Sequence, residues 1–272
     1  MEARDDVASN LARASALAVE AAVGSDLVIL PEYVQYRGSA EGFRASAAPV
    51  PGPTTAVFAA VAAAQGCWVL AGSHAEASGD PSRPYNTAVL LNRSGELAAR
   101  YRKLHLFDVS VDDGPSDLES SRVTPGDRAV VASVDGAGLG MAICYDLRFP
   151  ELFRALSLAG AEMLALPAVF TARTGRDHWE PLVRARAIEN GAFVLAAGAC
   201  GAGGPGAIPA WGHSMVVDPW GRVIAQAGDD EAIVRAELDL DLVAAARRQI
   251  PALANRRPDA LPPSRDVERV GF

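Results

Sequence analysis

The sequence predicts an α/β layered domain, and three observations carry that prediction. Amphipathic helices alternate with short strands through the first and middle parts of the chain. Most strands, such as WVLA (68–71) and MLAL (163–166), are apolar on both faces, the pattern of strands covered on both sides. The 272 residues suffice for a sizeable core without disulfides or metals, and no linker or internal repeat divides them. A single domain over 1–272 is expected, with an extended surface tail from about residue 254.

Residues 7–22 place apolar side chains at three- and four-residue spacing, which predicts a helix. LVIL (27–30) is a strand that ends at Pro31 and Glu32. A second helix spans 54–65, just after Pro51 and Pro53. CWVLAGS and YNTAVLLN are strands around a turn-rich loop, and ELAARYRK is a third that delivers Lys103. The stretch 108–127 is polar, acidic and rich in turn formers, a long excursion of the functional kind. RAVVASV and GLGMAIC are strands, the second stopping at Cys144. PELFRALSLAG is a helix with Pro at its start and Gly at its end. EMLALPAVF is a strand, 177–191 a helix and GAFVLAAGAC a strand. A Gly-rich loop then leads to a hairpin in GHSMVVDPWGRVIAQ, a strand in AIVRAEL (232–238) and a last helix over 241–249.

Composition narrows the function. The net charge is −8 with no basic run, which argues against nucleic acid and anionic membranes as partners. No apolar run reaches transmembrane length, and the polar, acidic start reads as neither a secretory signal nor a transit peptide. Three widely spaced cysteines, Cys67, Cys144 and Cys200, suggest neither a disulfide framework nor a zinc site, so a cytoplasmic protein with reduced thiols is expected. Among 24 Arg there is one lysine, Lys103. A chain that uses Arg wherever either cation serves keeps Lys where a compact ammonium is required, or by chance.

Three reactive side chains fall at the ends of buried strands, where α/β folds place their sites: Glu32, Lys103 and Cys144. A thiol is a nucleophile when a base takes its proton, a carboxylate can be that base, and an ammonium can hold a developing oxyanion. Each also has a plain structural reading: Cys144 as a small buried hydrophobe, Glu32 as a helix-start acid, Lys103 as an exposed cation. Arg148, four residues past Cys144, is expected either to bind a substrate carboxylate bidentately or to pair with Asp146 or Glu151. Phe170 and Thr171 end a strand and are candidate pocket residues, with a core role open for Phe170. His105 is expected to make structural hydrogen bonds. His178 and His213 lack a carboxylate at ligand spacing, so no metal is expected.

LVILPE, YRKLHLFD and GMAICYDLRFPEL, in this order, resemble the three signature blocks of the nitrilase superfamily of carbon–nitrogen hydrolases. LESSRVTPGD, HWEPLVRARAIEN, GHSMVVDPWG and RRPD extend the resemblance over nearly the whole chain. It implies an αββα sandwich, a Glu32–Lys103–Cys144 triad and Glu119 as a second glutamate supporting the lysine. It also implies a thioester mechanism without cofactor, with Lys103 and the Tyr145 backbone N–H holding the oxyanion. A homodimer or larger homo-oligomer is implied as well. The wording is most similar to the amidase branch, whose substrates are small carboxylated amides of the deaminated-glutathione or 2-oxoglutaramate type, the former ahead on the C-terminal half.

The family usually begins with a strand before the first helix, and this sequence starts almost at the helix. The expectation is that the start has been set too far downstream, the alternative being a compromised version, and that stability and solubility suffer without the strand. Other readings are a nitrilase or N-carbamoyl amide hydrolase, a non-catalytic binding protein of the same fold, and a Cys–Asp–Lys hydrolase of the isochorismatase type. The last has its motifs in a different order.

Overall fold

The computed structural model describes residues 1–112 and 116–260. Helix α1 (Val7–Ala22) starts where the Asp6 carboxylate accepts a hydrogen bond from the Ser9 N–H at 2.8 Å. It buries Asn10, Ala14, Ala18 and Ala22, a stripe at spacing four. Strand β1 (Leu27–Ile29), helix α2 (Ala40–Ala45) and helix α3 (Pro53–Gln65) follow. Helix α3 has Pro at its start and stops at Gly66, whose φ of 60° is the left-handed geometry that glycine adopts without penalty.

Strands β2 (Trp68–Glu76), β3 (Tyr85–Leu91) and β4 (Leu97–Arg102) complete a four-stranded sheet in the order β1-β2-β3-β4. The excursion after β4 is more ordered than its composition suggests. It forms a small hairpin of β5 (Asp108–Ser110) and β6 (Ser116–Leu118), then a single 3-10 turn over Glu119–Ser121.

The second sheet has six strands. Strands β7 (Val130–Val134) and β8 (Ala137–Met141) form a hairpin, and helix α4 (Pro150–Leu158) crosses to β9 (Met163–Ala168). Helix α5 (Ala172–Asn190) crosses to β10 (Phe193–Gly198), and β11 (Met215–Val217) and β12 (Val223–Gln226) close the order β12-β11-β10-β9-β8-β7. Helix α6 (Asp241–Gln249) is the last α-helix described.

The two sheets share one core. Leu70, Leu90 and Tyr101 of the first sheet pack in the same cluster as Leu139, Met141 and Leu166 of the second. Helices α1 and α3 cover the outer face of the first sheet over Val69, Val89 and Leu91. Helices α4 and α5 cover the second with Phe153 and Trp179. The layers are therefore α, β, β, α, as the resemblance implied.

Several expectations need correction. Helix α5 begins at Ala172, not at 177: Thr171 caps it by accepting from the Thr174 N–H, and Gly175 admits Trp211, which a Cβ there would meet at 2.3 Å. AIVRAEL is not a strand. It runs in irregular backbone while Arg235 donates to the carbonyls of Glu20, Ala21 and Val23 at the end of α1. Residues 252–255 and 258–260 are turned rather than extended, and the rest of the tail lies outside the described residues. Residues 1–6 form no strand. Met1 and Ala3 are nevertheless buried, and the Met1 carbonyl accepts from Cys200 N–H at 3.1 Å.

One backbone detail governs where the first sheet sends its carboxylate. Strand β2 shifts register between Leu70 and Ser73, and Gly72 sits there with φ of 59°. A Cβ at Gly72 would lie 1.9 Å from the Pro31 carbonyl oxygen and 2.7 Å from Val34. The loop carrying Glu32 thus rests on bare backbone. Gly72→Ala adds a left-handed alanine, a cost of about 1–3 kcal/mol, and pushes Pro31 away. It should lower Tm by roughly 2–10 °C and reduce turnover. Thermal melts and kinetics matching wild type would contradict this.

Candidate active site

Glu32 follows β1 directly, after a last sheet bond from Leu30 N–H to the Leu70 carbonyl. Lys103 follows β4, its N–H bonded to the carbonyl of Asn86 on β3 at 2.9 Å. Glu119 heads the 3-10 turn at the end of the excursion. Cys144 follows β8, where the chain breaks into a 3-10 turn over Cys144–Arg148. The structure brings these four together at the junction of the two sheets. Their exposures are 2% for Glu32, 2% for Lys103, 1% for Glu119 and 6% for Cys144.

The Lys103 ammonium lies 3.1 Å from Glu32 Oε1 and 2.9 Å from Glu119 Oε2. Each carboxylate is bound further. Glu32 accepts from Asn86 Nδ2 at 2.8 Å and from the Val169 N–H at 2.7 Å. Glu119 accepts from Tyr33 Oη at 2.7 Å and from the Phe107 N–H at 2.6 Å. The Glu32 carboxylate is near enough to the Cys144 thiol to disfavour its ionisation. The Cys144 backbone has φ of 46°, an uncommon geometry for a residue with a side chain and one that sharp turns at functional sites use.

This packing sets the protonation states. Burial pushes the Cys144 thiol up, Glu32 adds to the effect and Lys103 offsets part of it, so the thiol lies well above its ordinary 9.0. Burial opposes the Lys103 charge, but Glu119 and Glu32 outweigh it and hold the ammonium well above 10.5. Burial opposes the Glu119 charge too, and Lys103, the Phe107 N–H and Tyr33 hold it below 4.5. At neutral pH the site therefore holds a neutral thiol, a cation and an ionised Glu119.

The four side chains open onto one cavity of about 290 Å3, which Tyr33, Arg122 and Thr171 also line. That volume is at the small end for ligand sites and suits a small molecule. Thr171 is on the wall. Tyr145, Arg148 and Phe170 are not among the residues that line it. Phe170 takes its core reading: the ring is 5% exposed and packs 5.2 Å from Trp179. Among the described residues Arg148 pairs with neither Asp146 nor Glu151. Its guanidinium lies 5.2 Å over the Phe170 ring and 5.9 Å over Tyr145, and meets His178 Nδ1 at 3.3 Å. Tyr145 is the second residue of the 3-10 turn, where first-turn N–H groups have no partner within the turn.

His105 is a structural ligand, bonded to Asp146 at 2.7 Å and stacked on Phe149. Among the described residues no group of three or more His, Cys, Asp or Glu is arranged to hold a metal ion. Sequence reasoning missed Tyr33, Asn86 and Arg122.

The neighbours of the thiol give a signed expectation. Glu32→Gln removes a negative charge that disfavours the thiolate, so Cys144 should ionise at lower pH than in wild type. Ultraviolet thiolate absorbance, with Cys144→Ala as the blank, reads the shift, and a move to higher pH contradicts the arrangement.

The sequence profile of the carbon-nitrogen hydrolase family matches residues 2–248. A deaminated glutathione amidase of Synechocystis is 39% identical over 261 residues, covering 94% of this chain and 95% of that protein. The omega-amidase NIT2 of Homo sapiens is 38% identical over 251 residues, covering 92% and 90%. Among solved structures, the C. elegans NitFhit protein matches with a TM-score of 0.87 at 33% identity, over 96% of this chain and 64% of that one. Saccharomyces cerevisiae Nit3, a member of branch 10 of the nitrilase superfamily, matches with a TM-score of 0.82 at 29% identity, over 96% and 93%. The chain belongs to the carbon–nitrogen hydrolase family of the nitrilase superfamily and is a hydrolase of carbon–nitrogen bonds in linear amides.

Proposed function

We propose that Cys144 is the nucleophile, Glu32 the general base and acid, and Lys103 the oxyanion cation of an amidase acting on small carboxylated amides. The observation that carries the reading is the buried ammonium between two carboxylates, with a protonated thiol beside one of them, at the floor of a single cavity.

The thiol is neutral, so attack on the amide carbon is coupled to proton transfer to Glu32. The C–S bond forms as the carbonyl π pair moves to oxygen. The oxyanion is held by Lys103 and by the Tyr145 N–H. Glu32 then gives its proton to the leaving nitrogen, the C–N bond breaks, and ammonia leaves a thioester. Water gives a proton to Glu32 and attacks the thioester carbon. The tetrahedral oxyanion collapses, the C–S bond breaks, and the proton on Glu32 returns to the sulfur. The sum is amide plus water to carboxylic acid plus ammonia. Glu119 keeps the ammonium charged and aimed.

The substrate class is deaminated glutathione or 2-oxoglutaramate, the first being what the similar Synechocystis amidase is named for. Arg148 is proposed to hold the substrate carboxylate, because its guanidinium has no carboxylate partner among the described residues. A second cation has its own support: Arg122 lines the cavity, although Asp117 binds it bidentately. We place the enzyme in the cytoplasm, a reading supported by its three free cysteines. A homodimer or larger assembly is supported by Ile188 and Trp220, 54% and 39% exposed. Among the described residues no helix is long and apolar enough to cross a membrane.

Two measurements test the reading. Ammonia should be released from 2-oxoglutaramate and deaminated glutathione, with no carbon dioxide from an N-carbamoyl amine, and Cys144→Ala should abolish it. Silence on both amides would end the substrate assignment. Arg148→Lys should raise KM for carboxylated amides by about tenfold or more, the loss of one charged, bidentate contact, and leave neutral amides nearly unchanged. If only Arg122→Lys shows that selectivity, Arg122 is the carboxylate ligand.

A further inference from the structure

The proposed chemistry leaves one fully buried acid next to the nucleophile without a task. Asp146 is 0% exposed and stands two residues past Cys144. Its Oδ2 accepts from Tyr101 Oη at 2.7 Å and from the Ile143 N–H at 2.8 Å. Its Oδ1 accepts from the His105 N–H at 3.1 Å and meets His105 Nδ1 at 2.7 Å.

The positions of these partners matter more than their number. Tyr101 and His105 stand two residues before and two residues after Lys103. Ile143 immediately precedes Cys144. One carboxylate thus joins the segment that carries the ammonium to the segment that carries the thiol, and the two come from different sheets. The join is doubled by the His105 ring, which stacks at 3.7 Å on Phe149 at the end of the Cys144 turn. The turn is also closed on itself, since the Asp146 N–H donates back to the Ile143 carbonyl at 3.0 Å. That closure bears on the left-handed geometry of Cys144, which persists only where its surroundings impose it.

The chemistry of the joint is specific. Each Asp146 oxygen receives one backbone N–H, from His105 on one side and Ile143 on the other. A backbone N–H cannot become an acceptor. Only a group that accepts on both sides satisfies the pair. An asparagine of the same shape presents its NH2 to one of them, leaving two donors face to face in a buried place.

We propose that Asp146 is a positioning residue that sets the separation of the Lys103 ammonium and the Cys144 sulfur. The inference rests on the roles given above to Lys103 and Cys144, and its test separates the two. Asp146→Asn, Tyr101→Phe and His105→Ala are compared with wild type for kcat and KM, both normalised to the Cys144 that iodoacetamide can alkylate. The pH profile of that alkylation is recorded as well.

A displacement of the reacting groups by an ångström is worth about 100-fold in rate, so kcat of Asp146→Asn should fall by about that factor with KM within about twofold. The alkylation profile should move to higher pH as the ammonium loses its hold on the sulfur. Tyr101→Phe, which removes one of the ties, should fall between. A kcat per alkylatable site within about threefold of wild type, with an unmoved profile, overturns the proposal. If Asp146→Asn does not fold, Tyr101→Phe and His105→Ala decide, and wild-type kcat per site in both overturns it. If the wild type hydrolyses no amide, the functional reading has failed, and the alkylation profile alone decides for or against Asp146.

Discussion

A fully desolvated ammonium between two carboxylates is the constraint to which the rest of the structure answers. Removing ions from water is costly, and their mutual attraction repays the cost only when the remaining lone pairs are also bonded. Here every such demand is met by a different part of the chain. Asn86 comes from β3, the Val169 N–H from the end of β9, Tyr33 from the loop after β1, and the Phe107 N–H from the segment after β4. Loss of one charged member would leave a buried charge uncompensated, a cost of about 3–5 kcal/mol. The cluster therefore belongs to the core as much as to the site, and both sheets are registered around it.

The same electrostatics shape reactivity. A thiol flanked by a carboxylate and held away from water is a poor nucleophile toward stray electrophiles, because the thiolate is the reactive form. In the proposed mechanism its proton is lost only when a carbonyl carbon is in place to accept the sulfur. On the same proposal, Lys103 contributes less by activating the sulfur than by being ready for the charge that appears on the carbonyl oxygen. Fixed charges of this kind need no reorganisation when the reaction occurs.

Much of this was legible in the sequence, for identifiable reasons. Glu32, Lys103 and Cys144 announce themselves at the ends of apolar strands, and a single lysine among 24 arginines marks the cation. Glu119 lies in an irregular acidic stretch and emerged only through the family resemblance. Asn86, Tyr33 and Arg122 were invisible because their roles depend on which strands become neighbours. Phe170 sits at a strand end like a pocket residue, yet its ring turns into the core against Trp179. AIVRAEL has the composition of a strand, but its Arg235 is spent on the helix carbonyls at the end of α1.

That last contact reaches beyond the folded state. Helix α1 has no basic residue in its last turn, and its terminal carbonyls receive their cation from a residue 214 positions later. The Met1 carbonyl likewise accepts from the distant Cys200 N–H. On a ribosome adding about 5–20 residues per second, the first helix waits about 10–40 seconds for Arg235. During that interval its Ala14–Ala22 stripe can rest on α3 and Ser25 can close on the Ala21 and Ala22 carbonyls, but those of Glu20 and Val23 still lack Arg235. The amino-terminal layer of the sandwich is therefore the first to be made and among the last to be finished.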